Sequence, residues 1–332
     1  MKGDQSHPLR ASLRAIKRPL RILKGWTSKI LRVAQLRIFP ILARVIRPRV
    51  WIYHQYPGRC LKVDPAHALE TLPETPPRIA VVTPSLNHAR FINATIDSVL
   101  TQNYPNLAYR VEDGGSTDET KSILDSYGDR IAWRSEPDSG QANAINRGFQ
   151  NIDGDIMAYL NSDDTLLPGT LAYVARAFRD NPDVDVVYGH RIYVNFDGLD
   201  VGRCVLPPHH PETLKWADYI PQETMFWRRK VWDAVGSFDE SFDYALDWDF
   251  LLRAQEAGFR FKRLPRFLGC FRVHEAQKTT SMQHVGDREM NRLRLRYLHE
   301  VPDTYQIKQA IKGYLFRQVF HDTMYRLGLF RY

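Results

Sequence analysis

Two adjacent carboxylates, Asp163 and Asp164, close the segment Tyr159-Leu160-Asn161-Ser162-Asp163-Asp164, just past an apolar run over residues 156–160. Carboxylates at the exit of a hydrophobic strand must be solvated, paired or bound to a cation, because burying them bare is prohibitive. A second acidic turn, Glu112-Asp113-Gly114-Gly115-Ser116-Thr117-Asp118, lies upstream. Two such turns at the ends of successive strands outline a site for a metal ion and a phosphorylated ligand. Asp113 and the tandem aspartates are then expected to converge around a single divalent ion. The structural readings are a tight turn at Asp113-Gly114-Gly115 and a helix N-cap ahead of Pro168. A third acidic stretch, Asp247-Trp248-Asp249, precedes Arg253. On a helix, residues i and i+2 do not share a face, so these two carboxylates cannot serve one site, and Asp249 is expected to orient Arg253 at i+4.

The elements that must hold these residues alternate. Residues 79–83 read as a buried parallel strand, 89–102 as a helix with Ile92, Ile96, Val99 and Leu100 on one side, and 108–112 as the next strand. Ser116-Thr117-Asp118-Glu119 has the form of a capping box opening a helix. A strand over 131–135, a helix over 140–150 with Ala142, Ile145 and Phe149 inward, and a strand over 155–160 follow. Pro168 marks the start of another helix, and 184–188 reads as strand. This rhythm predicts an α/β fold with a mostly parallel sheet covered by helices on both faces. Ligands of such sheets bind outside the carboxyl ends of the strands, where Thr83-Pro84-Ser85, Asp113 and Asp163-Asp164 fall. Residues 285–332 read as helical, with Ile307, Ile311, Tyr314 and Leu315 on one side.

The net charge of +8 is unevenly spread. Residues 1–50 carry 13 Lys/Arg and one Asp, a net of +12, which leaves the remainder at −4. A mildly acidic body argues against nucleic-acid binding. The arm is different: over 10–47, Leu13, Ile16, Leu20 and Leu23 share one helical face and Arg14, Lys17, Arg18, Arg21 and Lys24 its neighbour. It reads as a helix lying on an anionic membrane surface, packing on the body or a transit peptide being the alternatives. No signal peptide and no run long enough to span a bilayer is found. Cys60, Cys204 and Cys270 are widely spaced and suit a reducing compartment. The expectation is a cytoplasmic protein held peripherally on the inner face of the membrane.

Five segments in fixed order carry a resemblance. They are Thr83-Pro84-Ser85-x-Asn87, Ser98-Val-Leu-x-Gln-x-Tyr-Pro-Asn106, Asp113-Gly-Gly-Ser-Thr-Asp118, Glu136-Pro-Asp-x-Gly-Gln-Ala142 and Asn161-Ser-Asp-Asp164. Together they resemble glycosyltransferase family 2, whose members are inverting, metal-dependent nucleotide-sugar transferases of the GT-A fold. The likeness runs over residues 78–281. It implies that Asp113 binds the nucleotide base and ribose, with Thr83, Pro84 and Ser85 as the pocket floor. It implies that Asp163 and Asp164 match the Asp-x-Asp region that holds Mn²⁺ or Mg²⁺ against the donor diphosphate. Asn161 stands where many relatives carry the first Asp, which leaves Asp163 as the metal ligand and Asp164 as a ribose or metal contact.

By the same match Asp247 is the general base, with Leu246 replacing the usual acid before it. Arg147 is a diphosphate candidate or a solvent-facing arginine. Gln222 and Glu223 match sugar-hydroxyl contacts, and Trp227 or Trp248 stacks on a sugar ring or fills the core. His274 matches a position that reaches the metal or diphosphate in some relatives, or is structural; Lys278 would pair the leaving diphosphate.

The implied activity is transfer of one sugar from a nucleotide-sugar, a UDP-sugar foremost, to a glycan or lipid-linked glycan. The Gln-x-x-Arg-Trp motif and membrane helices of processive polysaccharide synthases do not occur. The rival is a GT-A-like nucleotide-binding scaffold with a spent site, which Asn161 and Leu246 keep open. A dinucleotide oxidoreductase would need Gly-x-Gly-x-x-Gly after the first strand. The expected organisation is a basic arm over 1–50, a Pro- and aromatic-rich linker over 51–77, a catalytic domain over 78–281 (donor half 78–190, acceptor half 191–281), and C-terminal helices over 282–332.

Overall fold

Strand β1 (Ile79–Ser85) is buried along its whole length, and its side chains alternate between two cores. Ala80 and Val82 belong to one cluster with Ile145 and Phe149; Ile79 and Val81 join Ile92, Ile96 and Leu124 in another. A strand covered on both faces needs apolar residues at successive positions, which is why residues 79–82 are a continuous apolar run. In this computed structural model, residues 48–275, 277–278 and 282–332 are described. The amphipathic arm expected over 10–47 lies outside them, as does the domain boundary expected at residue 281.

Parallel pairing joins β1 to β2 (Leu107–Asp113) and β4 (Ile156–Tyr159), and β2 to β3 (Ala132–Ser135). The register sets Ser85 beside Asp113, so the strand ends share one edge. Beyond β4 the sheet is mixed. β8 (Phe226–Arg228) is antiparallel to β4 and to β6 (Val186–Val194), while β9 (Phe261–Arg272) runs parallel to β6. β5 (Thr165–Leu166) and β7 (Asp200–Cys204) complete nine strands among the described residues. The strand read at 184–188 starts two residues later and continues to Val194.

Helices α1 (Ala89–Leu100), α2 (Thr120–Ser126), α3 (Gln141–Asn151) and α4 (Thr170–Asp180) cover this sheet. α3 turns Ala142, Ile145 and Phe149 inward and approaches β1 closely at Gly148, where a Cβ would meet Val82 Cγ1 at 2.5 Å. The capping box read at Ser116–Glu119 does not form: Glu119 is the N-cap of α2 and makes no side-chain cap bond. Ser116 is engaged elsewhere, donating to Asp113 and accepting from the Asn87 amide at 2.7 Å. Asp118 instead accepts from the amides of Thr120 and Ala89, both at 3.0 Å.

α5 (Pro211–Trp216), α6 (Arg229–Val235) and α7 (Leu246–Glu256) form the second half. α8 (Gln283–Leu298), α9 (Thr304–Ala310) and α10 (Lys312–Arg326) end the chain. Ile311 and Tyr314 are buried and Ile307 and Leu315 half-buried. Arg49–Tyr332 is one compact unit. The segment ahead of β1 is tied down by the Arg59–Asp200 bridge and by Arg266, which donates to Glu70 at 2.7 Å and to the His67 carbonyl at 2.9 Å.

Candidate active site

A cavity of about 720 Å³ opens at the carboxyl ends of β1 and β4. Pro84 and Ser85 reach it from β1, Asn161, Ser162 and Asp163 from the loop after β4, and Gln141 from the start of α3. Gln222, Asp218, Arg191 and Asp247 line it from the second half, Lys278 from the segment after β9, and Ile307 and Ile311 from the C-terminal helices.

Asp163 keeps its carboxylate at the cavity because His274 Nε2 lies 3.0 Å from its Oδ2. His274 is fixed in turn against Phe91, ring centroids 4.8 Å apart. His88 Nδ1 sits 2.5 Å from Ser162 Oγ. Burial lowers the His88 pKa, opposed by the Asp163 charge.

A row of side-chain amides forms the adjoining wall. Gln141 Nε2 donates to Asn161 Oδ1 at 2.7 Å, Asn161 Nδ2 to Gln222 Oε1 at 3.0 Å, and Gln222 Nε2 to the Tyr159 carbonyl at 2.6 Å. Each middle member must both donate and accept. An ionised Asp at 161 has no donor for Gln222, so the departure from the Asp-x-Asp pattern is matched by its neighbours.

Asp247 lies in the first turn of α7, partly buried, with the Trp248 amide donating to its Oδ1 at 2.9 Å. Desolvation pushes its pKa up to about 6, while that amide bond and the Arg191 charge work against the rise. Asp218 shares the cavity and is raised well above the usual carboxylate range, by desolvation first and the Asp247 charge second. Arg191 is held by Glu223 in a two-point pair at 2.8 and 2.5 Å, with Phe271 under its guanidinium at 4.7 Å. Asp249 behaves as its spacing requires, accepting from Arg253 Nε at 2.7 Å.

Thr83, Asp113, Arg147, Asp164, Glu223 and Trp227, also singled out from the sequence, are not among the residues that line the cavity. Asp113 accepts from the amides of Gly115 at 3.2 Å and Ser116 at 2.9 Å, and from the Ser116 and Ser135 hydroxyls. Its oxygens are engaged by its own turn and by Ser135 at the end of β3. Thr83 is buried with its Oγ1 3.1 Å from the Tyr109 hydroxyl, which leaves Pro84 and Ser85 as floor. Asp164 is buried behind Asp163, accepting from the Arg272 amide at 2.9 Å, and desolvation holds its pKa well above the usual range. Arg147 is drawn off by Glu136 at 3.3 Å and Glu112 at 3.9 Å. Glu223 is consumed by Arg191. Trp227 is a 0% exposed core residue away from the cavity; Trp248, also 0% exposed, lies behind the cavity wall beside Asp247, its Nε1 donating to the Leu214 carbonyl at 2.7 Å.

Asp218, Arg191 and His88 were not singled out from the sequence. Asp218 follows a short helix in a loop without pattern, and Arg191 sits mid-strand, so neither carries a local signal. Among the described residues, no group of three or more His, Cys, Asp or Glu is arranged to hold a metal ion. Asp163 Oδ2 with His274 Nε2 is a hard oxygen beside an imidazole nitrogen, a donor set compatible with Mn²⁺ when phosphate and water fill the other positions. The residues therefore fit an ion that arrives with its ligand.

Comparison with known proteins agrees with this layout. The glycosyl transferase family 2 model matches residues 80–238. An uncharacterized glycosyltransferase of Rickettsia typhi is 28% identical over 219 residues, 62% of this chain and 67% of its own. A PGL/p-HBAD biosynthesis glycosyltransferase of Mycobacterium bovis is 30% identical over 182 residues, 53% of this chain and 69% of its own. Residues 1–349 of S. aureus TarS, solved with UDP-GlcNAc, align with a TM-score of 0.54 at 19% identity, over 72% of each chain. The longer TarS structure is spanned over 43% of its length. The mannosyltransferase PcManGT of Pyrobaculum calidifontis, solved with GDP-Man and Mn²⁺, gives 0.54 at 19% identity, over 82% of this chain and 75% of its own. With the parallel half-sheet, the cavity at its strand ends and these relatives in agreement, the chain belongs to glycosyltransferase family 2 and is a glycosyltransferase of the GT-A fold.

Proposed function

We propose that the protein moves one sugar from a nucleotide-sugar, a UDP-sugar foremost, onto a glycan or lipid-linked glycan by a single displacement that inverts the anomeric centre. The observation that carries this reading is Asp247, a carboxylate with its pKa near 6 on the wall of the cavity that also holds Asp163. A base with that pKa is ionised at neutral pH yet basic enough to accept a proton as bonding begins. The acceptor oxygen attacks C1, the bond from C1 to the diphosphate oxygen breaks with its electron pair, and the acceptor proton passes to Asp247. Pro84, Ser85 and the first turn of α3 would contact the nucleotide; the Gln141–Asn161–Gln222 row would orient the sugar hydroxyls. Asp163, with His274 behind it, would hold Mn²⁺ or Mg²⁺, which when bound supplies positive charge beside the departing diphosphate. Lys278, which lines the cavity and whose Nζ donates to the Asp243 carbonyl at 3.2 Å, would exchange that carbonyl for a phosphate oxygen. The basic arm over 1–50 would keep the enzyme on the anionic inner face of the membrane.

Two neighbours solved with UDP-GlcNAc and with GDP-Man and Mn²⁺ support the donor class. A panel of UDP-, GDP- and dTDP-sugars with Mn²⁺, read by released nucleoside diphosphate, tests the reading. One donor class should turn over; silence across the panel with intact nucleotide binding would favour a spent scaffold.

A further inference from the structure

The last helix has two unlike faces. Tyr314, Gln318 and Asp322, four residues apart, are buried against the body. On the opposite side Phe316 and Phe320 stand 76% and 51% exposed in line with exposed Lys312. The chain then leaves Leu327 and Leu329 exposed, and Tyr305 projects from α9. Five of the thirteen exposed large hydrophobic side chains among the described residues thus fall in the last 28 positions of the chain. A soluble surface scatters such residues singly; a cluster marks a contact.

The charges around the cluster are mostly of one sign. Residues 304–332 contain Lys308, Lys312, Arg317, Arg326 and Arg331 against a single acid, Asp322. Asp322 is buried, with Arg326 at 2.7 Å and Arg49 at 3.7 Å, which leaves Asp303, the N-cap of α9 that accepts from the Gln306 amide, as the nearest exposed carboxylate. Aromatic and leucine side chains ringed by Lys and Arg are the composition that inserts at the headgroup boundary of an anionic bilayer. Exposed leucines would gain little on a phosphate backbone alone. The surface also adjoins the cavity, whose lining includes Thr304, Ile307, Lys308 and Ile311.

We propose that the outer face of α9, α10 and the C-terminal turn is a docking surface for an anionic lipid bilayer, and that an amphiphilic acceptor enters the cavity past α9. The second clause rests on the transfer reaction proposed above; the first does not. Charge opposes the other occupants. Residues 1–50 carry a net +12, and a second copy docking by the same face would set like charges against like.

The test uses the full chain. A fluorescent probe of local polarity is attached at Phe316→Cys in a Cys60→Ser background, Cys60 being the exposed thiol and Cys204 and Cys270 buried. Equimolar phosphatidylglycerol/phosphatidylcholine vesicles should shift its emission to the blue, and pure phosphatidylcholine should not. In parallel, the Phe316→Ser/Phe320→Ser variant should partition onto the mixed vesicles at least about tenfold more weakly than wild type. Its nucleoside diphosphate release in lipid-free buffer should be unchanged. Equal partitioning with a silent probe would overturn the proposal and leave the N-terminal arm as the sole anchor. A probe already blue-shifted without vesicles would also overturn it, light scattering then separating a second copy from the chain's own arm. A vesicle-dependent shift in a protein that turns over no donor would leave the docking surface standing and refute the transfer reading.

Discussion

His274 Nε2 lies 3.0 Å from Asp163 Oδ2, joining two loops 111 residues apart at the edge of the cavity. The contact fixes the direction of the one tandem aspartate that reaches the cavity. A carboxylate oriented in this way is preorganised for a cation that brings its own phosphate ligands. Asp163→Ala should therefore abolish the Mn²⁺ dependence of nucleotide binding, and His274→Ala should weaken it by about 10–100-fold. Calorimetric titration of nucleotide with and without Mn²⁺ reads both. An unchanged Mn²⁺ requirement in Asp163→Ala would remove that residue from the metal site.

The pH dependence follows from Asp247. A base must be ionised to work, so kcat should rise through an acid limb near pH 6, where the raised pKa of Asp247 lies. A limb near pH 4 would mean that the working carboxylate is not desolvated.

Asp218 should register in stability rather than turnover alone. Its folded-state pKa is raised, so its favourable contribution is present below the ordinary carboxylate range and is lost as pH rises through the folded value. Asp218→Asn cannot ionise. Its Tm should exceed that of wild type by about 3 °C or more at pH 8, and the gap should close toward pH 4. A gap that widens on acidification would reverse the assignment.

Two substitutions separate core from site. Trp227→Ala should cost about 3–5 kcal/mol in denaturant unfolding, as expected for a buried aromatic. Glu223→Ala should cost about 3–5 kcal/mol by stranding the Arg191 charge. A sugar-contacting role would instead raise KM at unchanged stability.

The arm makes its own prediction. Replacing Arg14, Lys17, Arg18, Arg21 and Lys24 together by Gln should weaken sedimentation with anionic vesicles, each charge near the surface being worth about 1 kcal/mol. Equal sedimentation would refute the anchor.

How far the sequence could be read follows from where each signal resides. The parallel half was legible because β1 opens with an unbroken apolar run, Ile79 to Val82, and α3 turns Ala142, Ile145 and Phe149 inward, both local patterns. The i+4 partnership of Asp249 and Arg253 was legible for the same reason. The mixed half was less so: β5 and β8 are two and three residues long and exist only through pairing with distant strands. Side-chain allegiance was hardest. Asp113, Thr83 and Glu223 have the residue types of a binding site, yet each is claimed by a closer partner (Ser116, Tyr109 and Arg191). Asp218 earns its place from burial beside Asp247, which no spacing encodes. Asn161 looked like a missing acid and is the donor that Gln222 requires.

The most direct test compares wild type with Asp247→Asn on the donor that turns over, measuring nucleotide affinity and nucleoside diphosphate release with acceptor in the same preparation. Nucleotide Kd should be unchanged while release falls by about 10²–10⁴-fold. Equal release by the two proteins would contradict Asp247 as the base.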